Sequence, residues 1–243
     1  MARARSQAEI TDLLPDDALL GHCRRHYGLS IESVFLSDPP IGGDLWGLLP
    51  IDEGRLAIFC VDVCGHGPEV APHTRYVYDL LHSGAVDIAD PAEVLHLLNL
   101  RLHGFLPRGR FVAIWYSVID VDKNTLSWSA STFMPQLYRA GGASGFAFLP
   151  GEGFPLGFRS ESDYVVHQRP FFSGATLVLY SDALVETPLP PDSVFTTQSL
   201  RTFLNAQAED SSARQLANAV IERLDVPRER LTDDLTLVVL FRC

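Results

Sequence analysis

No apolar run in the chain approaches the ~18 residues that would span a bilayer. The start, MARARSQAEITDLLPDD, carries basic residues but lacks the apolar stretch of a secretory leader. These two absences predict no membrane span and a cytoplasmic location. Cysteine is sparse: Cys23, Cys60, Cys64 and Cys243 form no CxxC pair, which excludes the disulfide framework of a small secreted domain. His22, Cys23 and His26 have zinc-like spacing, but no fourth ligand accompanies them, so surface or packing roles are the expectation. Positive charge is also short, with 19 Lys and Arg against 30 Asp and Glu and a net charge of −11. A nucleic-acid binder needs a basic stripe for phosphate contacts, and the acidic balance argues against that class. There is no internal repeat and no low-complexity stretch.

What is present is core material. Hydrophobic residues make up 47% of 243 positions and charged residues 20%, enough for one large domain or for one domain with a short appendage. Residues 3–27 read as helical, bent around Pro15, with Asp16 and Asp17 able to cap a segment from Ala18. From Ser30 the texture becomes strand-like. Leu56 to Val63 (LAIFCVDV) is a continuous apolar run of the kind expected when both faces of a strand are covered. It ends in the glycine turn CGHGPE, after which Pro68 opens a helix through Val70, Val77 and Leu81 that stops at Gly84. Asp90 and Glu93 mark the start of a second helix. Phe111–Val121 and Thr125–Ser131, joined by the polar turn Asp122-Lys123-Asn124, form a hairpin. Strands follow at 136–139, 164–168 and 175–180, then helices near 198–208 and 212–224, and a closing strand at 235–241. Short turns between most strands imply antiparallel pairing. The pattern fits an α+β fold, two antiparallel β-sheets flanked by α-helices.

Four acidic positions share a context. Asp44 follows Gly42-Gly43, Asp62 sits near the end of an apolar strand, Asp182 lies just past one, and Asp233-Asp234 immediately precedes one. A carboxylate where a buried strand emerges is costly to desolvate unless it is paired or bound to a cation. No matching set of lysines or arginines stands beside these positions. Taken singly, each aspartate is better explained as a turn former. Taken together, hard oxygen donors from several strand ends suit Mg²⁺ or Mn²⁺. Two such ions about 4 Å apart polarise a phosphate and lower the pKa of a water between them.

The ordered set GGDLWG, VDVCGHGPEVA, LYSDALVE and TDDLTLVVL resembles the metal-dependent type 2C protein phosphatases, in their bacterial stage II sporulation protein E-like branch. PQLYRAGG, PGEGFPLGF and PPDSVFTTQSL support it, and the resemblance runs from Pro39 to the C-terminus. It implies the two-sheet sandwich and a binuclear site. Asp44, Asp62, the backbone carbonyl of Val63, Asp182 and Asp233 would be ligands, with Asp62 bridging both ions and Asp234 a ligand or a support to one. His66, in the glycine turn, is either a proton donor to the leaving serine oxygen or a structural residue of that turn.

The implied activity is that of a serine/threonine protein phosphatase that uses metal-activated water. Its expected partner is a phosphorylated regulatory protein such as an anti-sigma-factor antagonist. Residues 1–27 would be a helical linker or regulatory segment serving an upstream sensor or receiver domain or a homodimer, and residues 28–243 the phosphatase-like domain. The chain departs from the pattern at Gly47, where an acidic residue is common, at Ala183, where Gly is common, at Cys64, where Ser is common, and at Ser129-Ala130-Ser131-Thr132 in place of Asn-Ala-Gly-His. The departures at Gly47 and Ala183 motivate the rival expectation, a binding module of the same fold that acts in partner switching with weak hydrolysis or none. A two-metal nuclease would share the carboxylate chemistry but is disfavoured by the acidic balance.

Overall fold

In the computed structural model, residues 13–36, 42–65, 69–84, 87–189, 193–225, 231 and 233–243 are described. Helix α1 (Asp17–His26) begins where expected, with Asp16 accepting from the Leu19 amide at 2.8 Å, and leads into β1 (Leu29–Leu36). The hairpin β2 (Asp44–Pro50) and β3 (Arg55–Val63) precedes two helices, α2 (Ala71–His82) and α3 (Pro91–His103). Next come β4 (Val112–Asp120), β5 (Thr125–Ser131), β6 (Gln136–Arg139), β7 (Ala147–Leu149), β8 (His167–Pro170) and β9 (Thr176–Tyr180). The C-terminal part holds α4 (Ala183–Glu186), β10 (Pro188–Leu189), β11 (Ser193–Val194), α5 (Thr197–Asn205), α6 (Ala213–Leu224) and β12 (Leu235–Arg242).

Two five-stranded antiparallel sheets, β1-β12-β9-β6-β7 and β2-β3-β4-β5-β8, form the expected sandwich. Side chains alternate across a strand, so a strand covered on both faces divides its residues between two cores. Strand β3 does this: Leu56, Ile58 and Cys60 enter the layer between the sheets, while Ala57, Phe59, Val61 and Val63 pack under α2 and α3. The second sheet repeats the division. Leu177, Leu179, Val238 and Leu240 face the inter-sheet layer, and Val178, Leu237 and Val239 pack against α5 and α6. The layers are therefore helix, sheet, sheet, helix.

The helix signals are physical ones. Asp90 accepts from the Ala92 and Glu93 amides, and Ser212 with Gln215 closes a reciprocal capping box at the start of α6. Pro68, expected to open α2, lies outside the described residues; Pro72 occupies its first turn. The strand expected at 164–168 lies at His167–Pro170 instead, because its register is set by β5 (Trp128 opposite His167), while Tyr164 turns its hydroxyl to the Phe154 carbonyl. Strand β7 and helix α4 are too short to have a sequence period. Cys23 on α1 and Tyr27, which caps its C-terminal end, are buried in the inter-sheet core. Among the described residues no helix is long and apolar enough to cross a membrane.

Candidate metal centre at one end of the sandwich

The alternation that divides the cores also builds the site. Counting back from Trp46 and Leu48, which face the inter-sheet layer, places Asp44 on the same side; counting forward from Ile58 and Cys60 does the same for Asp62. The two are direct cross-strand partners. From the opposite sheet, Leu179 leads to Ser181, and Val238 leads back to Thr236 and Asp234. Five polar residues thus share one end of the gap between the sheets. Asp182 and Asp233 flank it, one residue beyond that alternation.

Contacts fix this arrangement. The Thr236 hydroxyl donates to Asp44 Oδ2 at 2.7 Å, and the Asp44 amide donates to Asp234 Oδ2 at 3.3 Å. The Ser181 hydroxyl donates to the Asp234 carbonyl and accepts from the Thr236 amide. Asp234 donates its amide to Asp233 Oδ1 at 2.8 Å. The two glycines before Asp44 are steric requirements. A Cβ at Gly42 would lie 1.2 Å from Asp234 Oδ2, and one at Gly43 would lie 2.6 Å from the Val63 carbonyl. The Val63 carbonyl is therefore at the site, against Gly43. Asp182 stands at the start of α4, with its carbonyl accepting from Val185 and Glu186. His66 and Thr232 lie outside the described residues.

Electrostatics show that these carboxylates crowd one another. Burial pushes the Asp44 carboxyl well above its ordinary value and the Asp62 charge pushes it further, while hydrogen bonds from Thr236 and Ser181 favour the ionised form. Asp62 is pushed up to about 7, first by burial and then by the charges of Asp182, Asp233 and Asp234. Asp182 is raised by burial and by Glu186, one helical turn on. Among the described residues, none of Asp44, Asp62, Asp182 or Asp233 takes part in an ion pair. An all-oxygen, uncompensated acidic set is the chemistry of a hard divalent-cation site, so the residues fit one. The side chains share a neighbourhood without being closed round a point: among the described residues no three His, Cys, Asp or Glu groups meet in ligating geometry.

Two departures have packing reasons. A Cβ at Gly47 would lie 2.3 Å from the Phe59 ring across the hairpin, so the residue is empty to admit Phe59. Ala183 is buried as the first residue of α4, and among the described residues only Asn124, Thr132 and Asp225 are non-glycines with positive φ, so the 183 position needs no glycine. Ser131 and Thr132 stitch β5 to the 153–157 segment through the Phe154 and Gly153 carbonyls.

Thr236, Ser181 and Glu186 were not singled out by the sequence. Thr236 carries a recoverable signal, a hydroxyl two residues beyond an aspartate on the same strand face. Thr236→Val keeps the shape but removes the donor to Asp44, so Mn²⁺ affinity measured by calorimetry is expected to fall about 10- to 100-fold. Unchanged affinity would show that the Asp44 orientation does not depend on Thr236.

The stage II sporulation protein E family profile matches residues 52–242. The phosphoserine phosphatase RsbP of Bacillus subtilis is 22% identical over 162 residues, 65% of this chain, and the chain spans 40% of that protein's length. The SiaA-PP2C domain of Pseudomonas aeruginosa superposes with a TM-score of 0.79 at 20% identity, over 96% of this chain and 92% of that one. RsbX, solved in complex with magnesium, superposes with a TM-score of 0.66 at 15% identity, over 88% of this chain and 96% of that one.

Proposed function

We propose, from the premise that the chain belongs to the stage II sporulation protein E family, that it is a metal-dependent phosphatase acting on phosphoserine or phosphothreonine of a regulatory protein. The observation that carries this reading is the meeting of buried Asp44 and Asp234 with half-buried Asp62 and Asp182 at one end of the sandwich, where burial first and the neighbouring carboxylates second push the Asp62 carboxyl up to about 7. Asp44, Asp62, the Val63 carbonyl, Asp182 and Asp233 would hold two Mn²⁺ or Mg²⁺ ions, with Asp234 fixing the Asp44 backbone or joining them. The magnesium in RsbX supports the choice of metal. When bound, the cations supply Lewis acidity and activate water for in-line attack on the phosphorus.

The protein's own part is positional. Thr236 orients the Asp44 carboxyl through its hydroxyl, Gly42 leaves room for Asp234 from the opposite sheet, Gly43 leaves room for the Val63 carbonyl of the neighbouring strand, and the inter-sheet core excludes water from one side of the site. A phosphorylated anti-sigma-factor antagonist is the partner class in keeping with the family, and residues 1–27 would transmit regulation from an upstream domain or a second copy. Deleting 1–12 is the matching test, since α1 itself is built into the core.

The test of activity is hydrolysis of p-nitrophenyl phosphate with Mn²⁺, without metal, and after EDTA. Turnover is expected only with metal and is expected to return when Mn²⁺ is restored in excess of EDTA. Turnover no higher than that of an Asp62→Asn control would leave the non-hydrolytic binding module as the better reading.

A further inference from the structure

The chain as a whole is acidic, yet from Val94 to Ile119 it contains no Asp or Glu, while Arg101, Arg108 and Arg110 all fall there. The structure ties this segment to the candidate site through Arg110 and to residues 157–160 through α3. Asn99 on α3 accepts from the Gly157 amide at 2.9 Å and donates to the Arg159 and Ser160 carbonyls, so the 157–160 segment is pinned along the helix. His103 adds a bond to the Gly157 carbonyl. The Arg159 guanidinium lies 3.7 Å over the Phe154 ring, which meets Phe158 edge-on. On the other side Phe105 stacks on Tyr76 of α2 at 3.9 Å.

This rim leads to the aspartates. Leu156 bridges Val112, Cys64 donates its amide to Phe111, and Arg110 Nη1 donates to the Cys64 carbonyl at 2.8 Å. Gly65, at φ +112°, has no room for a Cβ because Arg110 Nη1 would be 1.7 Å away. Cys64 and Gly65, which follow Asp62, thus pack round a guanidinium of the rim.

Arg101, Arg108 and Arg159 are exposed, as are Phe105 (43%) and Phe158 (57%). Among the described residues none of these three arginines forms an ion pair, although Glu161 and Asp163 follow Arg159 in sequence, and Arg110 alone reaches a carboxylate, Glu69, at 3.9 Å. Exposed aromatics and arginines are the residue types that anchor protein interfaces. A body carrying −11 repels acidic partners, so exposed arginines without a described ion pair, on the elements that lead through Arg110 to the aspartates, mark where one can approach.

We propose that the surface formed by α3, the 104–110 turn and the 154–160 segment docks an acidic, apolar-containing segment of a phosphoprotein and thereby presents its phosphoserine to the aspartates. The proposal rests on the phosphatase reading only for the phosphoserine; the acidic preference stands on the rim.

The experiment uses the full chain and three fluorescein-labelled phosphoserine peptides of equal length, with the serine flanked by Glu and Leu, by Gly and Ser, or by Lys and Leu. Binding is read by anisotropy, independently of turnover, with p-nitrophenyl phosphate hydrolysis measured in parallel. The Glu-flanked peptide is expected to bind about tenfold more tightly than the Lys-flanked one. The triple variant Arg101→Glu, Arg108→Glu, Arg159→Glu should reverse that order and leave p-nitrophenyl phosphate hydrolysis unchanged, and the corresponding triple Gln variant should abolish the preference. An acidic preference that survives the Glu variant overturns the proposal, and so does oligo(dT) competing as well as unlabelled Glu-flanked peptide, since that marks a general polyanion surface. If wild type shows the preference and its reversal but no metal-stimulated turnover, the docking surface stands and the phosphatase reading fails.

Discussion

Asp62→Asn is expected to lower Mn²⁺-stimulated hydrolysis of p-nitrophenyl phosphate by on the order of 10³-fold and, in the same preparation, to raise the melting temperature of the metal-free protein. Both effects come from one cause. Asp62 is pushed from 3.8 to about 7 by burial and by the charges of Asp182, Asp233 and Asp234. Between those two pH values the folded chain binds a proton that the unfolded chain has released, so this group's contribution to stability declines as pH rises through the window and is fully lost above about 7. Asn, which carries no charge, removes that decline. In EDTA at pH 8 the variant should melt several degrees higher than wild type, given roughly 2–4 °C per kcal/mol for a domain of this size. At pH 4 the two should nearly coincide.

Adding Mn²⁺ at pH 8 should reverse the ranking, because a ligand that binds only the folded state stabilises it by mass action, and the variant has lost a main donor. Wild type rises and the variant does not. A variant that melts below wild type in EDTA at pH 8 would show that Asp62 is a structural residue satisfied within the fold. Retained Mn²⁺-dependent turnover would remove it from the metal set.

How much of this was legible beforehand differs from level to level. The sandwich was readable because its signals are local: the apolar run at 56–63, the turn at 122–124, the cap at Asp90, and the strand at 235–241 each need only a few neighbouring residues. Strand β8 was misplaced by three residues because nothing local sets its start; pairing with Ser127 and Trp128 does. The aspartates could be named from the strand ends, but their meeting could not. Convergence of Asp44 with Thr236 depends on β2 and β12 lying in opposite sheets with the same phase, at a sequence separation of 192. Once pairing is known, counting by twos along four strands places Asp44, Asp62, Ser181, Asp234 and Thr236 together. The hydroxyls were missed because a lone Ser or Thr in a strand has no distinguishing local pattern.

Gly47 shows the converse, a position whose sequence reading concerned chemistry and whose structural reason is packing. The missing acidic residue was grounds for doubting catalysis. In the fold, Gly47 lies opposite Phe59, whose ring atoms would stand 2.3, 2.8 and 3.1 Å from a Cβ there, and Phe59 is fully buried under α2 and α3. Gly47→Asp therefore has two costs. The ring must move within a close-packed layer, about 1–3 kcal/mol, and a carboxyl enters an apolar face without a partner, at a cost of about 1–3 kcal/mol more even when it is protonated. A loss of about 3 kcal/mol or more is expected, lowering the melting temperature by roughly 10 °C, with no gain in Mn²⁺-dependent turnover.

Phe59→Ala alone should cost about 3–5 kcal/mol through the cavity it leaves. The double variant should be less unstable than the sum of the two, since each removes the clash or fills the void created by the other. Strict additivity would mean that Gly47 and Phe59 do not share this space. Increased turnover in Gly47→Asp would restore the view that an acid belongs at this position and that its loss weakened the enzyme.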